Sequence, residues 1–171
     1  GDAQGRVYSF EPVSAPDARL LILGTAPSAA SLAAGCPYAH PRNCFWPLLF
    51  DVLGEPAKVQ AAQMRALLLR HQIALWDVMR SCVRSGSLDS AIRDPEPNDV
   101  GALLDACPQI ERVLLNGGAA YRLYHRLLPG LCGRVEDVQM PSTSPAYTLP
   151  YAKKRAAWAP YLMPLAEGRS Q

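Results

Sequence analysis

Residues 19–28 read RLLILGTAPS, and the first six of them decide the fold. Four apolar residues in a row, closed by a glycine, leave no polar face, so RLLILG (19–24) reads as a strand buried on both sides. Such a strand needs helices over both faces, and the rest of the chain supplies them. NCFWPLLFDVLG (43–54) spaces Phe45, Leu48, Leu49 and Val52 at helical intervals behind Asn43 as N-cap. AKVQAAQMRALLLRHQ (57–72) is a second helix, rich in strong helix formers. IALWDV (73–78), IERVLLNGG (110–118) and RVEDVQM (134–140) repeat the strand signal. DPEPNDVGALLDACP (94–108) reads as a proline-rich loop, a cap at Asn98 or Asp99 and a short helix ended by Pro108. AAYRLYHRLL (119–128) and YAKKRAAWAPYLMPL (151–165) are further helices. The alternation predicts an α/β fold: a mostly parallel four-stranded sheet between helices, in one domain spanning residues 1–171.

Composition narrows the function. The chain is 49% hydrophobic and 19% charged, with a formal charge of +2, too mild to declare a nucleic-acid partner unless the basic residues cluster. No run of about 18 apolar residues and no leader pattern is visible, so neither membrane insertion nor export is expected, and a cytoplasmic location is. Five cysteines, with no C-x-x-C pair, are expected to be reduced structural thiols rather than a disulfide framework, a zinc site or an iron–sulfur site. His40, His71 and His125 show no metal-type spacing. No metal and no organic cofactor is expected, and the chain is expected to be a monomer.

In parallel sheets ligands bind at the carboxyl ends of the strands. Those ends are GTAPS, WDVMRS, NGG and MPSTSPAY, with YAHPRNCFW (38–46) hanging over them. No nucleophile elbow, phosphate loop or carboxylate pair is present, and NGG is a weak dinucleotide signal. What remains is aromatic and amide-rich. Tyr38 offers a stacking face, worth about 1–3 kcal/mol against a base. Asn116 offers a donor beside an acceptor, suited to a base edge, although a turn or cap before Gly117 suits it equally. Ser142, Thr143 and Ser144 bring hydroxyls and amides to grip a phosphate, or form a plain surface turn. Lys153, Lys154 and Arg155 make the one basic triplet, either a hold on a nucleic-acid backbone or a solvated helix face.

These segments resemble the uracil-DNA glycosylase superfamily. LILGTAPSAASLAAGCPYAHPRNCFWPLL is similar to its first motif region, and with SLDSAI, NGGAAY and PSTSPAY the chain is most similar to the DNA-deoxyinosine (hypoxanthine-DNA) glycosylase branch. The resemblance runs from about residue 19 to 158. It implies a three-layer sandwich and a monofunctional glycosylase of base excision repair. Such an enzyme flips a deaminated base, hypoxanthine or uracil, out of DNA and hydrolyses its N-glycosidic bond without a cofactor. It further implies a base pocket at Gly24, Thr25 and Ala26, with Tyr38 as floor and Asn116 at the base edge. Residues 142–147 would enter the minor groove, with Tyr147 as a wedge between bases. Ala26 stands where many members position water with Asp or Asn, and the implied replacement is Asn43. His40 and Arg42 would support the loop and meet a phosphate, and Lys153 and Lys154 would hold the backbone. MPS replaces the HPS of many relatives, Ser28 replaces a glycine and Tyr147 an asparagine. Two other classes fit the residues: a nucleobase- or nucleic-acid-binding module of the same fold, and a nucleoside-processing enzyme that never touches DNA.

Overall fold

The structure is a computed structural model that describes residues 5–56, 61–86 and 89–168. Its centre is a parallel sheet in the order β3-β2-β6-β7, formed by β2 (Leu20–Gly24), β3 (Ile73–Asp77), β6 (Arg112–Asn116) and β7 (Glu136–Met140). Side chains alternate across it as the pleat requires. Leu20 and Ile22 of β2 pack with α2 (Phe45–Leu53) and α6 (Tyr151–Leu162), in a cluster that includes Phe45, Trp46 and Trp158. Leu21 and Leu23 face the other way, toward Val100 and Leu103 of α4 (Val100–Ala106) and Tyr124 of α5 (Gly118–Leu127). Helices therefore cover both faces, and the three-layer α/β expectation holds.

Register places the site. Gly24 lies opposite Asp77, Leu23 opposite Leu115, and Asn116 opposite Met140, so the four strands end at one level. Helix α3 (Ala61–Arg70) precedes β3; the expected start of that helix at residues 57–60 lies outside the described residues.

A second, antiparallel sheet was not anticipated. It has the order β1-β4-β5, from β1 (Arg6–Tyr8), β4 (Met79–Val83) and β5 (Arg93–Pro97). The stretch read as a proline-rich loop is strand β5, which among the described residues pairs only with β4. Proline is tolerated there because an edge strand has amide positions that no ladder bond uses. Helix α1 (Ala29–Ala34) was also missed. Ser28, the residue in place of the motif glycine, is its N-cap: the hydroxyl accepts the Ser31 amide at 3.1 Å.

Candidate active site

The strand ends enclose one pocket whose lining includes Gly24, Thr25, Tyr38, Asn43, Asp77 and Asn116, together with Ser142–144. The segment over it is held from both sides. Phe45 and Trp46 are buried, and the Trp46 indole donates to the Pro37 carbonyl at 2.7 Å. Tyr38 stacks on Phe45 with centroids 4.1 Å apart and an interplanar angle of 23°. Its φ of +56° is unusual for a bulky residue, and such backbone persists where the surroundings over-determine it. The aromatic ring and its orientation at the pocket are thus fixed.

Asn43 combines two placements. It lines the pocket, and its Oδ1 accepts the Phe45 amide at 3.0 Å. The geometric N-cap of α2 is Cys44, which makes no side-chain cap bond; Asn43, expected as the N-cap, stands one residue before it, and its side chain supplies the bond. His40 organises the turn, its Nδ1 accepting the Arg42 amide at 3.1 Å and its carbonyl the Asn43 amide at 2.9 Å. Arg42 is exposed.

Asn116 is 8% exposed and spends its amide on the loop. Its Nδ2 donates to Thr143 Oγ1 and its Oδ1 accepts the Thr143 amide, both at 3.0 Å. The Thr143 carbonyl in turn accepts the Cys44 amide at 3.1 Å. One chain of bonds thus ties the tip of β6 to the 142–147 loop and to the 38–46 segment. The loop is pinned twice more, by Trp158 Nε1 on the Pro141 carbonyl at 2.9 Å and by Lys154 Nζ on the Ser144 carbonyl at 3.0 Å. Gly117 permits the turn, with φ +103° and a position where a Cβ would stand 3.1 Å from that of Ser142.

The basic triplet does not act as one surface. Lys153 is exposed, Lys154 is only 4% exposed beneath the loop, and Arg155 bonds Asp51 at 2.7 Å. Burial pulls the Lys154 ammonium below its ordinary pKa. The expectation that Lys154 faces a nucleic-acid backbone is corrected: it braces the loop from inside. Tyr147 is 48% exposed, with the Lys154 ammonium 5.5 Å from its ring centroid.

The sequence reading missed Asp77. This carboxylate closes β3, lines the pocket, and sits where it and the Tyr38 hydroxyl crowd Gly24: a Cβ there would meet Asp77 Oδ1 and Tyr38 Oη at 2.6 Å each. The signal that could have found it is the WD pair, an acid ending an apolar run on the strand beside β2. Because both clashing atoms are side-chain ends, Gly24→Ala is expected to fold. It should nevertheless slow turnover about 10- to 100-fold by displacing the Tyr38 ring and the Asp77 carboxylate together. Single-turnover rates beside a thermal melt check this; an unchanged rate would show that neither group needs its present position.

Comparison with known proteins agrees with this fold. Residues 11–165 match the Uracil DNA glycosylase superfamily. A hypoxanthine DNA glycosylase of Methanosarcina acetivorans is 36% identical over 138 residues, covering 80% of this chain and 85% of that one. One of Methanosarcina barkeri is 38% identical over 109 residues, 63% and 69% of the two chains. A solution NMR structure of a Methanosarcina acetivorans protein assigned to the uracil DNA glycosylases superimposes with TM-score 0.82 at 30% identity, over 94% of this chain and 98% of that one. The chain belongs to the uracil DNA glycosylase superfamily. It is a DNA glycosylase.

Proposed function

We propose that this glycosylase is monofunctional and removes deaminated bases, hypoxanthine first and uracil second, by hydrolysing the N-glycosidic bond of a flipped nucleotide. The observation that carries the reading is the pairing, in one pocket, of the Tyr38 floor with the Asp77 carboxylate. Deamination changes the base edge in one consistent way. The ring nitrogen of adenine or cytosine is an acceptor beside an amino group; in hypoxanthine or uracil it carries a proton beside a carbonyl. An ionised carboxylate only accepts. Set opposite the ring nitrogen rather than the exocyclic group, it bonds the deaminated base and meets a repelling lone pair on adenine or cytosine. Guanine and thymine also carry a ring N–H, and their rejection falls to the cost of unpairing, least for a mismatched base. The names of the two Methanosarcina relatives support hypoxanthine as the first substrate.

In this reading Asn43 orients the attacking water, while Asn116 chiefly holds the loop and keeps one N–H and one lone pair for the base. The departing base leaves from an oxocarbenium-like state, so positioning and electrostatics carry the rate more than a strong base does. Tyr147 on the pinned loop is the wedge, and Arg42, Lys153, Ser142 and Ser144 are the contacts to phosphate. Lys153→Ala is expected to weaken binding to all duplexes alike and to reduce the slope of log K against log salt by about 1. Anisotropy titrations at several salt concentrations measure it, and an unchanged slope removes Lys153 from the interface.

The test of function is a set of duplexes, each with one deoxyinosine, deoxyuridine or undamaged control. Alkali-dependent cleavage at deoxyinosine is expected, with no strand break before alkali. Tight binding with no abasic site on any duplex would favour a binding module instead.

A further inference from the structure

At the far end of the sheet from the pocket, three side chains of metal-binding chemistry converge. His125 lies near the C-terminus of α5, Cys132 in the turn that follows, and Asp137 is the second residue of β7. One ligand atom from each lies within 4.8 Å of the other two. The Cys132 Sγ is 3.2 Å from His125 Nδ1, and His125 Nε2 is 2.9 Å from Asp137 Oδ1. Their spacing in sequence matches no zinc signature, which is why the chain alone gave no hint of them.

We propose that His125, Cys132 and Asp137 bind a divalent cation of intermediate softness, zinc by the chemistry of its ligands. Sulfur, imidazole and carboxylate together select zinc over magnesium or calcium, which prefer oxygen alone. Zinc bonds are about 2.0–2.3 Å long, and Cys132 and Asp137 approach different nitrogens of the ring, so closing the cluster on an ion requires the imidazole to turn until one nitrogen serves both neighbours. On binding, the thiol gives its proton to solvent and a sulfur–zinc bond forms. Thiolate, neutral imidazole and carboxylate then bring two negative charges against the two positive charges of the ion, and water takes the fourth place. Only one imidazole nitrogen is needed; the ring is 37% exposed and has room to turn, after which the other nitrogen faces solvent in place of its present partner. Asp137 is 11% exposed, and Tyr121 packs on the imidazole at 4.4 Å between centroids, so the ligands are partly shielded from water. Beside them the fully buried Tyr124 hydroxyl has no hydrogen-bond partner among the described residues, its ring 5.7 Å from that of His125. The bound ion would staple α5 to β7, the edge strand of the sheet.

The experiment strips the full chain with a chelator and titrates it with cobalt(II), a spectroscopic stand-in for zinc. A thiolate-to-cobalt charge-transfer band should saturate at one equivalent, bleach on adding zinc, and vanish in Cys132→Ser. His125→Ala and Asp137→Asn should weaken binding at least tenfold. Zinc at a hundredfold above its Kd should raise the melting midpoint of the wild type by about 5–10 °C. No band at one equivalent, a band that survives Cys132→Ser, or no zinc-dependent shift would overturn the site. Should Cys132→Ser fail to fold, the wild-type stoichiometry and the zinc-dependent melt decide alone. Base release is expected to be the same with and without chelator, so this inference and the reading of the pocket stand or fall separately.

Discussion

Asn43→Ala is expected to slow single-turnover release of the base by a factor on the order of 100 or more while the protein stays folded and still binds DNA. One role of this residue is observed and the other proposed, and they can be separated. Its Oδ1 accepts the Phe45 amide, so alanine also removes the bond that opens α2, a loss of about 1 kcal/mol of stability. A loss of stability alone leaves the rate of the folded enzyme nearly intact. A lost water-orienting amide lowers the rate at every temperature at which the protein is folded. Asn43→Asp sharpens the distinction, since a carboxylate keeps the acceptor for Phe45 and can also orient water. It should retain stability and recover much of the rate. A wild-type rate in Asn43→Ala would move the water-positioning role elsewhere in the pocket.

Asp77→Ala is the second large effect, an expected fall of about 10- to 100-fold in kcat/KM on deoxyinosine. The estimate follows from losing one charge-assisted contact to the base edge, worth about 1–3 kcal/mol. Asp77→Asn should lose less, because the amide can turn its carbonyl to the ring N–H and form a neutral bond roughly half as strong. It should also lose selectivity, because the same amide can turn its NH₂ toward the acceptor nitrogen of adenine. The measurement compares the three proteins on deoxyinosine and on mispaired adenine. Equal rates on deoxyinosine for wild type and Asp77→Ala would remove the carboxylate from base reading.

The central sheet was legible because β2 and the middle of β6 are short unbroken apolar runs, which fit a strand buried on two faces. The pocket was half legible. Tyr38 and Asn43 stand out because a core has no use for an amide and a guanidinium crowded beside aromatics. Asp77 did not, since a single acid at the end of IALWD looks like an ordinary strand end until register sets it beside Gly24. Lys154 misled for a related reason: three consecutive basic residues point in three directions on a helix, and only packing shows that the middle one lies under the loop. The β5 edge strand hid behind its prolines. The His125, Cys132 and Asp137 cluster hid because a helix, a turn and a strand had to fold before it existed.

The strand-end pocket is proposed to hydrolyse the bond between deoxyribose and a deaminated base. The most direct measurement of this hydrolysis incubates excess enzyme with a duplex carrying one deoxyinosine, then quantifies the released base by chromatography and abasic sites by alkaline cleavage. Free hypoxanthine is expected in amounts equal to the abasic sites, with adenine in the matched control left in place. Intact deoxyinosine in DNA that the protein nevertheless binds would contradict it.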